Sequence, residues 1–221
     1  MTALHQLVAA LLLVAFSTSA EPAAALCHTL PPKIPAHDLH NKVHGNWTLV
    51  WAVADYDDGN ELLKKLNNSH VELDFHTHDD TTDIIFNERN MFSDKACTYY
   101  WMKMTNMSAS SSEDALKFEG GVKEVDGNVT EMKNSVTIEF YETCPQECCM
   151  MVVCSWGSGR FVLGYKMEGK LGGEGELQKD QNYFKHQAEL LGFNTEKAFC
   201  HQGEAEGCPK KPEPAVDSKH A

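Results

Sequence analysis

The sequence has little positive charge. Its 221 residues include 19 Lys and Arg against 32 Asp and Glu, which gives a formal net charge of −13. Binding to nucleic acid and docking on an anionic membrane both depend on clustered basic side chains. The charge balance therefore argues against both kinds of partner, while a content of 42% hydrophobic residues is that of a globular protein.

Long hydrophobic runs are missing after the first twenty residues. The apolar stretch Leu7–Phe16 is too short to cross the ~30 Å hydrocarbon core of a bilayer. Small residues follow it as far as Ala20, an order typical of a cleaved secretory signal peptide over residues 1–20. A cut near Ala24 and an uncleaved buried helix are the alternatives. No later run is long enough to span a bilayer, so we expect a secreted protein without a membrane anchor.

Recognisable catalytic motifs are also missing. The chain contains no G-x-S-x-G, H-E-x-x-H or G-x-G-x-x-G sequence and no P-loop. Cysteine and histidine are present, but the sequence indicates no pairing of a nucleophile with a base. It therefore predicts no catalytic residue, no cofactor, no resident metal and no enzyme.

Eight cysteines are present, and in a secreted chain they are expected to form disulfides. Four are far apart in sequence, and four form a local group in which a metal cluster is the alternative. The distant set is Cys27, Cys97, Cys200 and Cys208, and the local set is Cys144, Cys148, Cys149 and Cys154. Four sequons predict N-glycans at the surface, at Asn46, Asn67, Asn106 and Asn128.

Alternation of apolar and polar residues dominates residues 45–166. Val71, Leu73 and Phe75, for example, alternate with Glu72 and Asp74. Eight short segments of this kind, separated by turn residues, predict an all-β sandwich or an up-and-down barrel.

The period changes near the C-terminus. Residues Asp180–Leu191 place apolar side chains on one helical stripe, and Gly192 follows where a helix commonly ends. One helix is therefore predicted after the strands. A polar, proline-containing tail over residues 209–221 is predicted to be disordered.

The order of these elements resembles the lipocalin family. Gly45-Asn46-Trp47 opens the first strand after a short helical segment, as the first lipocalin signature Gly-x-Trp does. The sequence is most similar to the alpha-1-acid glycoprotein group, which includes fish tributyltin-binding and saxitoxin/tetrodotoxin-binding proteins. The segments that carry this similarity are Leu26–Pro31, Val43–Ala52, Asp83–Arg89 and Ala96-Cys97. The sequence departs from two other signatures of the family. Tyr141–Pro145 stands in place of the second signature, a turn between the sixth and seventh strands, and Lys166 is the residue nearest to the arginine of the third signature at the end of the last strand.

The resemblance implies a fold, a disulfide pattern and a function. The fold is an eight-stranded up-and-down antiparallel barrel over residues 21–208 with one C-terminal α-helix packed outside. Cys97 pairs with Cys208 or Cys200, and Cys27 takes the other. The function is that of a secreted, monomeric carrier of a small hydrophobic or amphipathic ligand, and the acidic charge favours basic ligands. An immunomodulatory plasma glycoprotein that acts through its surface, its glycans and a cell-surface receptor is the alternative.

An eight-stranded barrel has room for one small ligand. With Cys97 facing outward, alternate residues of each strand line the interior, and Trp47 plugs the closed end. The predicted ligand-binding side chains are Trp51, Phe75, Phe86, Tyr100, Met102, Phe118, Ile138 and Phe140. A solid core made of the same side chains is the alternative.

Three histidines and three aspartates cluster around the second predicted strand. They are His70, His76, His78, Asp74, Asp79 and Asp80. We interpret them as solvated residues, with a metal site or a group that titrates near pH 6 as the alternatives.

Overall fold

The protein folds into one closed antiparallel barrel. The computed structural model describes residues 29–78, 81–108, 115–143, 148–157, 159–203 and 206–214. The strands are β1 (Gly45–Ala54), β2 (Leu66–His78), β3 (Thr81–Phe92), β4 (Cys97–Ser108), β5 (Leu116–Val125), β6 (Asn128–Tyr141), β7 (Cys149–Trp156), β8 (Gly159–Met167) and β9 (Phe199–Cys200). Strands β2 to β8 pair in chain order, and β1 pairs with both β2 and β8. This closure confirms the predicted eight-stranded barrel, and the short strand β9 adds to β1 outside it.

The helices close the ends and cover one side. A 3₁₀-helix (Ala36–Asp38) and α1 (Leu39–Val43) precede the barrel, α2 (Asp57–Lys65) joins β1 to β2, and α3 (Glu174–Leu190) follows β8. We call the end where β1 begins the lower end and the end where β1 finishes the upper end. Among the described residues, no helix has both the length and the apolar character that crossing a membrane requires.

Trp47 seals the lower end of the barrel. Its side chain is fully buried in the same cluster as Leu39 and Val43 of α1. Its indole Nε1 donates a hydrogen bond to the Val43 carbonyl oxygen at 2.8 Å. A buried indole keeps its apolar surface from water only if its N–H has a partner, so α1 and β1 are fixed to each other here.

Helix α3 packs on the outer face of β1, β7 and β8. It begins at Glu174, six residues before the predicted start at Asp180. The sequence pattern missed these first turns because their side chains, apart from Leu177, are exposed and form no apolar stripe. Phe184 and Ala188 are fully buried against the barrel. A side chain at Gly164 of β8 would collide with the Phe184 ring, with a Cβ only 2.3 Å from it. The glycine therefore sets how closely the helix approaches.

A buried ion pair joins this helix to the barrel. Lys166 of β8 is inaccessible to solvent, and its Nζ lies 2.6 Å from Asp180 Oδ2 and 2.8 Å from Glu176 Oε1. Burial opposes the charge on Lys166, but the hydrogen bonds that its ammonium donates to these carboxylates outweigh this effect and raise the pKa of Lys166. The residue nearest to the third lipocalin signature thus anchors α3.

Residues 206–214 form a strap without secondary structure across the outer faces of β2, β3 and β4. The disulfide Cys97–Cys208 anchors it, which confirms one of the two implied partners of Cys97. Lys210 Nζ donates to Asn46 Oδ1 at 2.8 Å, and the Lys211 ammonium lies 4.5 Å from the centre of the Tyr99 ring. The first part of the predicted disordered tail is therefore held against the barrel by these contacts, and residues 215–221 lie outside the described residues.

Candidate functional site

The upper half of the barrel contains a partly open cavity of about 330 Å³. Its wall is mostly apolar and aromatic, with a few polar groups, as in ligand pockets generally. The lining residues are Leu49, Tyr56, Leu62, Leu63, Leu66, Glu88, Asn90, Phe92, Tyr100, Lys123, Cys154, Trp156, Phe161, Leu163 and Tyr165.

Helix α2 forms the roof of this cavity. Leu62 and Leu63 of the helix line the space from above. The Asn60 side chain fixes the helix to the end of β1, because its amide donates to the Ala54 carbonyl and accepts from the Ala54 N–H at 3.1 and 3.2 Å. The roof therefore has a defined position over the upper end of the barrel.

Aromatic rings cover much of the wall. Tyr56 meets Phe161 edge to face with ring centres 5.4 Å apart, and Tyr100 meets Trp156 in the same way at 6.0 Å. Such edge-to-face pairs hold the rings in place. The wall therefore presents fixed ring faces to a ligand.

Glu88 is a carboxyl group inside this apolar space. Its hydrogen bond comes from Asn90 Nδ2, which donates to Glu88 Oε1 at 2.6 Å. Burial raises the pKa of the Glu88 carboxyl, and the Asn90 amide only partly offsets this effect. No Lys, Arg or His of the described residues forms an ion pair with Glu88, so the carboxylate faces the cavity without a counter-charge.

Glu88, Tyr100 and Lys123 form one row across three neighbouring strands. Glu88 of β3 is paired with Tyr100 of β4, and Tyr100 is paired with Lys123 of β5. All three side chains line the cavity, and the Lys123 ammonium lies 5.4 Å from the centre of the Tyr100 ring. The cavity therefore carries an acid and a base on either side of one aromatic ring.

The cavity also contains a thiol. Cys154 of β7 forms no disulfide in the described structure. Burial raises the pKa of its thiol to about 12, with a smaller contribution from the nearby Glu88. A protonated thiol is a weak nucleophile, so Cys154 acts here as an apolar wall residue.

Of the eight predicted ligand-binding residues, Tyr100 alone is among the described residues that line the cavity. Six lie in the barrel interior but pack together with Trp47 in the core cluster below the cavity. They are Phe75, Phe86, Met102, Phe118, Ile138 and Phe140. These six side chains therefore form part of a solid core, which was the alternative to a ligand-binding role.

Trp51 lies outside the barrel, which corrects its predicted place in the interior. The pairing of β1 with β8 shifts register between Leu49 and Trp51, so a bulge at Val50 reverses the alternation. Leu49 and Ala52 face the interior, while Trp51 is buried with Phe184 beneath α3. A bulge adds one residue to a strand and moves every later side chain to the other face.

Sequence reasoning missed Glu88 and Lys123, although each left a signal. Strict alternation from Ile84 and Phe86 already places Glu88 on the inner face. The inward position of Lys123 can be predicted only with the register shift at Gly120-Gly121, because alternation from Phe118 alone turns Lys123 outward. The Gly-Gly pair in a strand is a bulge signal that points to this change.

The sequons and the remaining cysteines are only partly described. Asn67 and Asn128 are exposed, Asn46 is half-buried and bonded to Lys210, and the side chain of Asn106 lies outside the description. Cys200 forms no disulfide with a described cysteine, while Cys27 and Cys144 lie outside the described residues. The pairing of Cys27 with Cys200 therefore stays a prediction.

The predicted histidine cluster divides between two places. At the lower end, Asp74 lies 3.1 Å from His76 Nε2 and 3.4 Å from His44 Nε2, and all three side chains are about half exposed. No group of three or more described His, Cys, Asp or Glu residues has the arrangement of a metal site. Asp79, Asp80 and the side chain of His78 lie outside the description.

His70 lies apart, under the strap. Its Nδ1 is 3.3 Å from Thr48 Oγ1, and a Cβ added at Gly207 would lie only 2.9 Å from its Nε2. Burial lowers the pKa of His70 from 6.5 to about 4, and Arg89 adds to this effect. Glu168 opposes it, while His201 and Lys210 act in the same direction as Arg89.

We expect His70 to make the protein less stable in acid. The unfolded chain takes up this proton near pH 6.5 and the folded chain only near pH 4, so the free energy of unfolding falls as the pH drops through that window. Because His70 is only partly buried and solvent screens part of the effect, this shift should contribute roughly 2–3 kcal/mol. Urea unfolding of wild type and His70→Gln at pH 7, 5.5 and 4.5 measures it.

In that comparison, His70→Gln should lose most of the pH slope between pH 6.5 and 4. His76→Gln, which changes an exposed histidine of the same strand, should keep it. Equal slopes for wild type and His70→Gln would contradict the expectation.

Comparison with solved structures decides the fold family. The barrel is similar to the siderocalin Ex-FABP, with a TM-score of 0.52 and 12% sequence identity over 75% of this chain and 97% of that chain. The fold is a lipocalin barrel. At this identity the similarity concerns the fold alone, and no protein-family model matches the chain.

Two curated relatives come from Takifugu pardalis. Saxitoxin and tetrodotoxin-binding proteins 2 and 1 are each 31% identical to this lipocalin barrel over 191 residues, which is 86% of this chain and 46% of the relative. The chain thus spans about half the length of these relatives. The sequence and fold comparisons together support a lipocalin-like family.

Proposed function

We propose that this protein is a carrier that holds one small molecule in the upper cavity of the barrel. The observation that carries the proposal is the cavity of about 330 Å³ with Glu88 in its wall. A concave, mostly apolar space with few polar groups is the common form of a small-molecule site.

The ligand of this carrier has an apolar body and a basic group. The rings of Tyr56, Phe161, Tyr100 and Trp156 offer it contact area. A buried carboxylate without a counter-charge is costly, and a ligand cation beside Glu88 removes that cost. The acidic net charge of −13 also favours the approach of a cation.

The named relatives support the same class of function. Both are named for binding saxitoxin and tetrodotoxin. This chain spans 46% of the length of each relative. We propose that it belongs to the alpha-1-acid glycoprotein-like group and that it binds a small molecule in its own barrel.

The proposal includes secretion and a monomeric, glycosylated state. The signal-peptide pattern over residues 1–20 and the disulfide Cys97–Cys208 both suit an oxidising, extracellular compartment. The exposed side chains of Asn67 and Asn128 are accessible to glycosylation. The proposal contains no catalytic step, consistent with the raised pKa of the Cys154 thiol.

A filled cavity tests the carrier function. Dansylcadaverine, a fluorescent cation with an apolar body, should bind the wild-type protein with a blue shift and increased emission. Leu163→Trp adds bulk to the cavity wall and should weaken this binding about ten-fold or more, because the ring occupies the ligand's space. Fluorescence titration at pH 7.4 measures both affinities.

Leu190→Trp is the matched control, since Leu190 is 47% exposed at the end of α3, outside the barrel. It should bind the probe as the wild type does. Circular dichroism shows whether each variant folds, and Leu163→Phe provides a smaller obstruction with an intermediate loss. Unchanged affinity in a folded Leu163→Trp variant would show that the ligand does not enter this cavity.

A further inference from the structure

We infer that the ligand is a zwitterion, held across the face of Tyr100 with its cation beside Glu88 and its anion beside Lys123. This inference rests on the carrier function. It adds a second charge to the ligand and a second recognition residue to the site.

The pairing of the strands places the two charged side chains at the same height in the cavity. Glu88 is paired with Tyr100, and Tyr100 with Lys123. Adjacent strands lie about 4.8 Å apart, so the backbones of Glu88 and Lys123 are separated by about two such spacings. The Tyr100 ring fills the interval between them.

Neither charge has a counter-charge among the described residues. The described residues include no carboxylate that forms an ion pair with Lys123, whereas Lys103 and Lys117 each contact one. Glu88 accepts a hydrogen bond from Asn90 and has no cationic partner among the described residues. The two side chains are held apart by Tyr100 and do not neutralise each other.

A local irregularity of β5 puts Lys123 inside the barrel. The register with β6 shifts between Glu119 and Gly121. Gly121 has a φ of +151°, and a Cβ there would lie 2.7 Å from the Trp101 carbonyl oxygen, so only glycine fits. After the shift Val122 is buried on the outer face beside Trp101, and Lys123 lines the cavity.

The paired charges distinguish between ligand classes. A ligand with only a cationic group is attracted by Glu88 and repelled by Lys123. A ligand with only an anionic group is attracted by Lys123 and repelled by Glu88. A compact zwitterion makes one charge-assisted contact at each side chain. Such a ligand places one charge on each side of the Tyr100 ring, because Glu88 and Lys123 lie on the strands that flank Tyr100.

A set of four dansyl compounds with one apolar body tests this inference. Dansylamide is neutral, dansylcadaverine cationic, dansylglycine anionic and Nε-dansyl-lysine zwitterionic at pH 7.4. The wild-type protein should bind the zwitterion about ten-fold or more tightly than the cation, with the anion weakest. Fluorescence titration gives all four affinities.

Lys123→Met isolates the second contact. It should lower the affinity for the zwitterion about ten-fold to that of the cation, leave the cation unweakened, and be rescued by Lys123→Arg. Lys117→Met is the matched control on the outward face of the same strand, and it should change none of the four affinities.

The outcomes separate this inference from the carrier function. If the cation binds and the zwitterion binds no tighter, or if Lys123→Met weakens all probes equally, the zwitterion inference is overturned and the carrier function stands. If none of the four probes binds the folded wild-type protein, the carrier function fails and the inference fails with it.

Discussion

Replacing Glu88 by Gln should remove most of the affinity for a cationic ligand. The variant keeps the shape of the side chain and its contact with Asn90 but loses the negative charge that faces the cavity. Loss of one partner from a desolvated ion pair costs about 2–5 kcal/mol, so the affinity for dansylcadaverine should fall at least about thirty-fold. The affinity for neutral dansylamide should change little.

The pH dependence of binding should change in the same variant. The pKa of Glu88 is raised by burial, so on acidification this carboxyl is protonated earlier than an ordinary glutamate. Binding of the cation by the wild type should therefore weaken as the pH falls through that raised pKa. Glu88→Gln should bind weakly at every pH and lack this transition.

The unliganded variant should at the same time become more stable. A carboxyl whose pKa is raised by folding opposes folding wherever it is ionised in the unfolded chain. At pH 7 Glu88→Gln should therefore unfold at a higher urea concentration than the wild type. This gain in stability is a readout that loss of structure cannot produce.

Glu119→Gln provides the control, because Glu119 is exposed and pairs with Lys117 on the outer face. It should leave binding and stability as they are in the wild type. If Glu88→Gln bound the cation normally, or if both glutamine variants lost the same affinity, Glu88 would not be the counter-charge.

Removing the Asp180 carboxylate should lower the free energy of unfolding more than any other substitution proposed for this protein. Lys166 is completely buried and depends on Asp180 Oδ2 at 2.6 Å, with the half-exposed Glu176 as its other partner. Breaking a buried pair leaves an uncompensated charge, which typically costs 3–5 kcal/mol. We expect Asp180→Ala to lower the free energy of unfolding by about 3 kcal/mol, as measured by urea denaturation.

Removing both members of the pair should restore much of this loss. The double variant Lys166→Met/Asp180→Leu replaces the charges by apolar groups of similar size, a change that is often neutral or stabilising. Glu176→Gln should cost much less than Asp180→Ala, since the Glu176 carboxylate faces solvent. A double variant less stable than Asp180→Ala would show that the pair contributes more than the cost of one unpaired charge.

The sequence by itself determined the strands, and the resemblance that it carries implied the barrel and its closed end. Alternation such as that of Val71, Leu73 and Phe75 is a local property of each strand, and the eight strands it predicts are all present. The resemblance around Gly45-Asn46-Trp47 implied the pairing of Cys97, and Trp47 seals the lower end as expected. Closure of the sheet and the disulfide then decided between a sandwich and a barrel and between Cys208 and Cys200 as the partner of Cys97.

Only the tertiary structure decided where the cavity lies and what faces it. A bulge at Val50 turns Trp51 outward, and a register irregularity at Gly120-Gly121 turns Lys123 inward. Alternation predicts neither change, because a one-residue shift in the pattern reverses the face of everything that follows it. Height in the barrel is equally invisible in a single strand: Phe86 and Glu88 are two residues apart on the same face, yet one packs in the solid core and the other borders the cavity. That difference depends on which side chains the other strands bring to each level, and it is set only when the barrel closes.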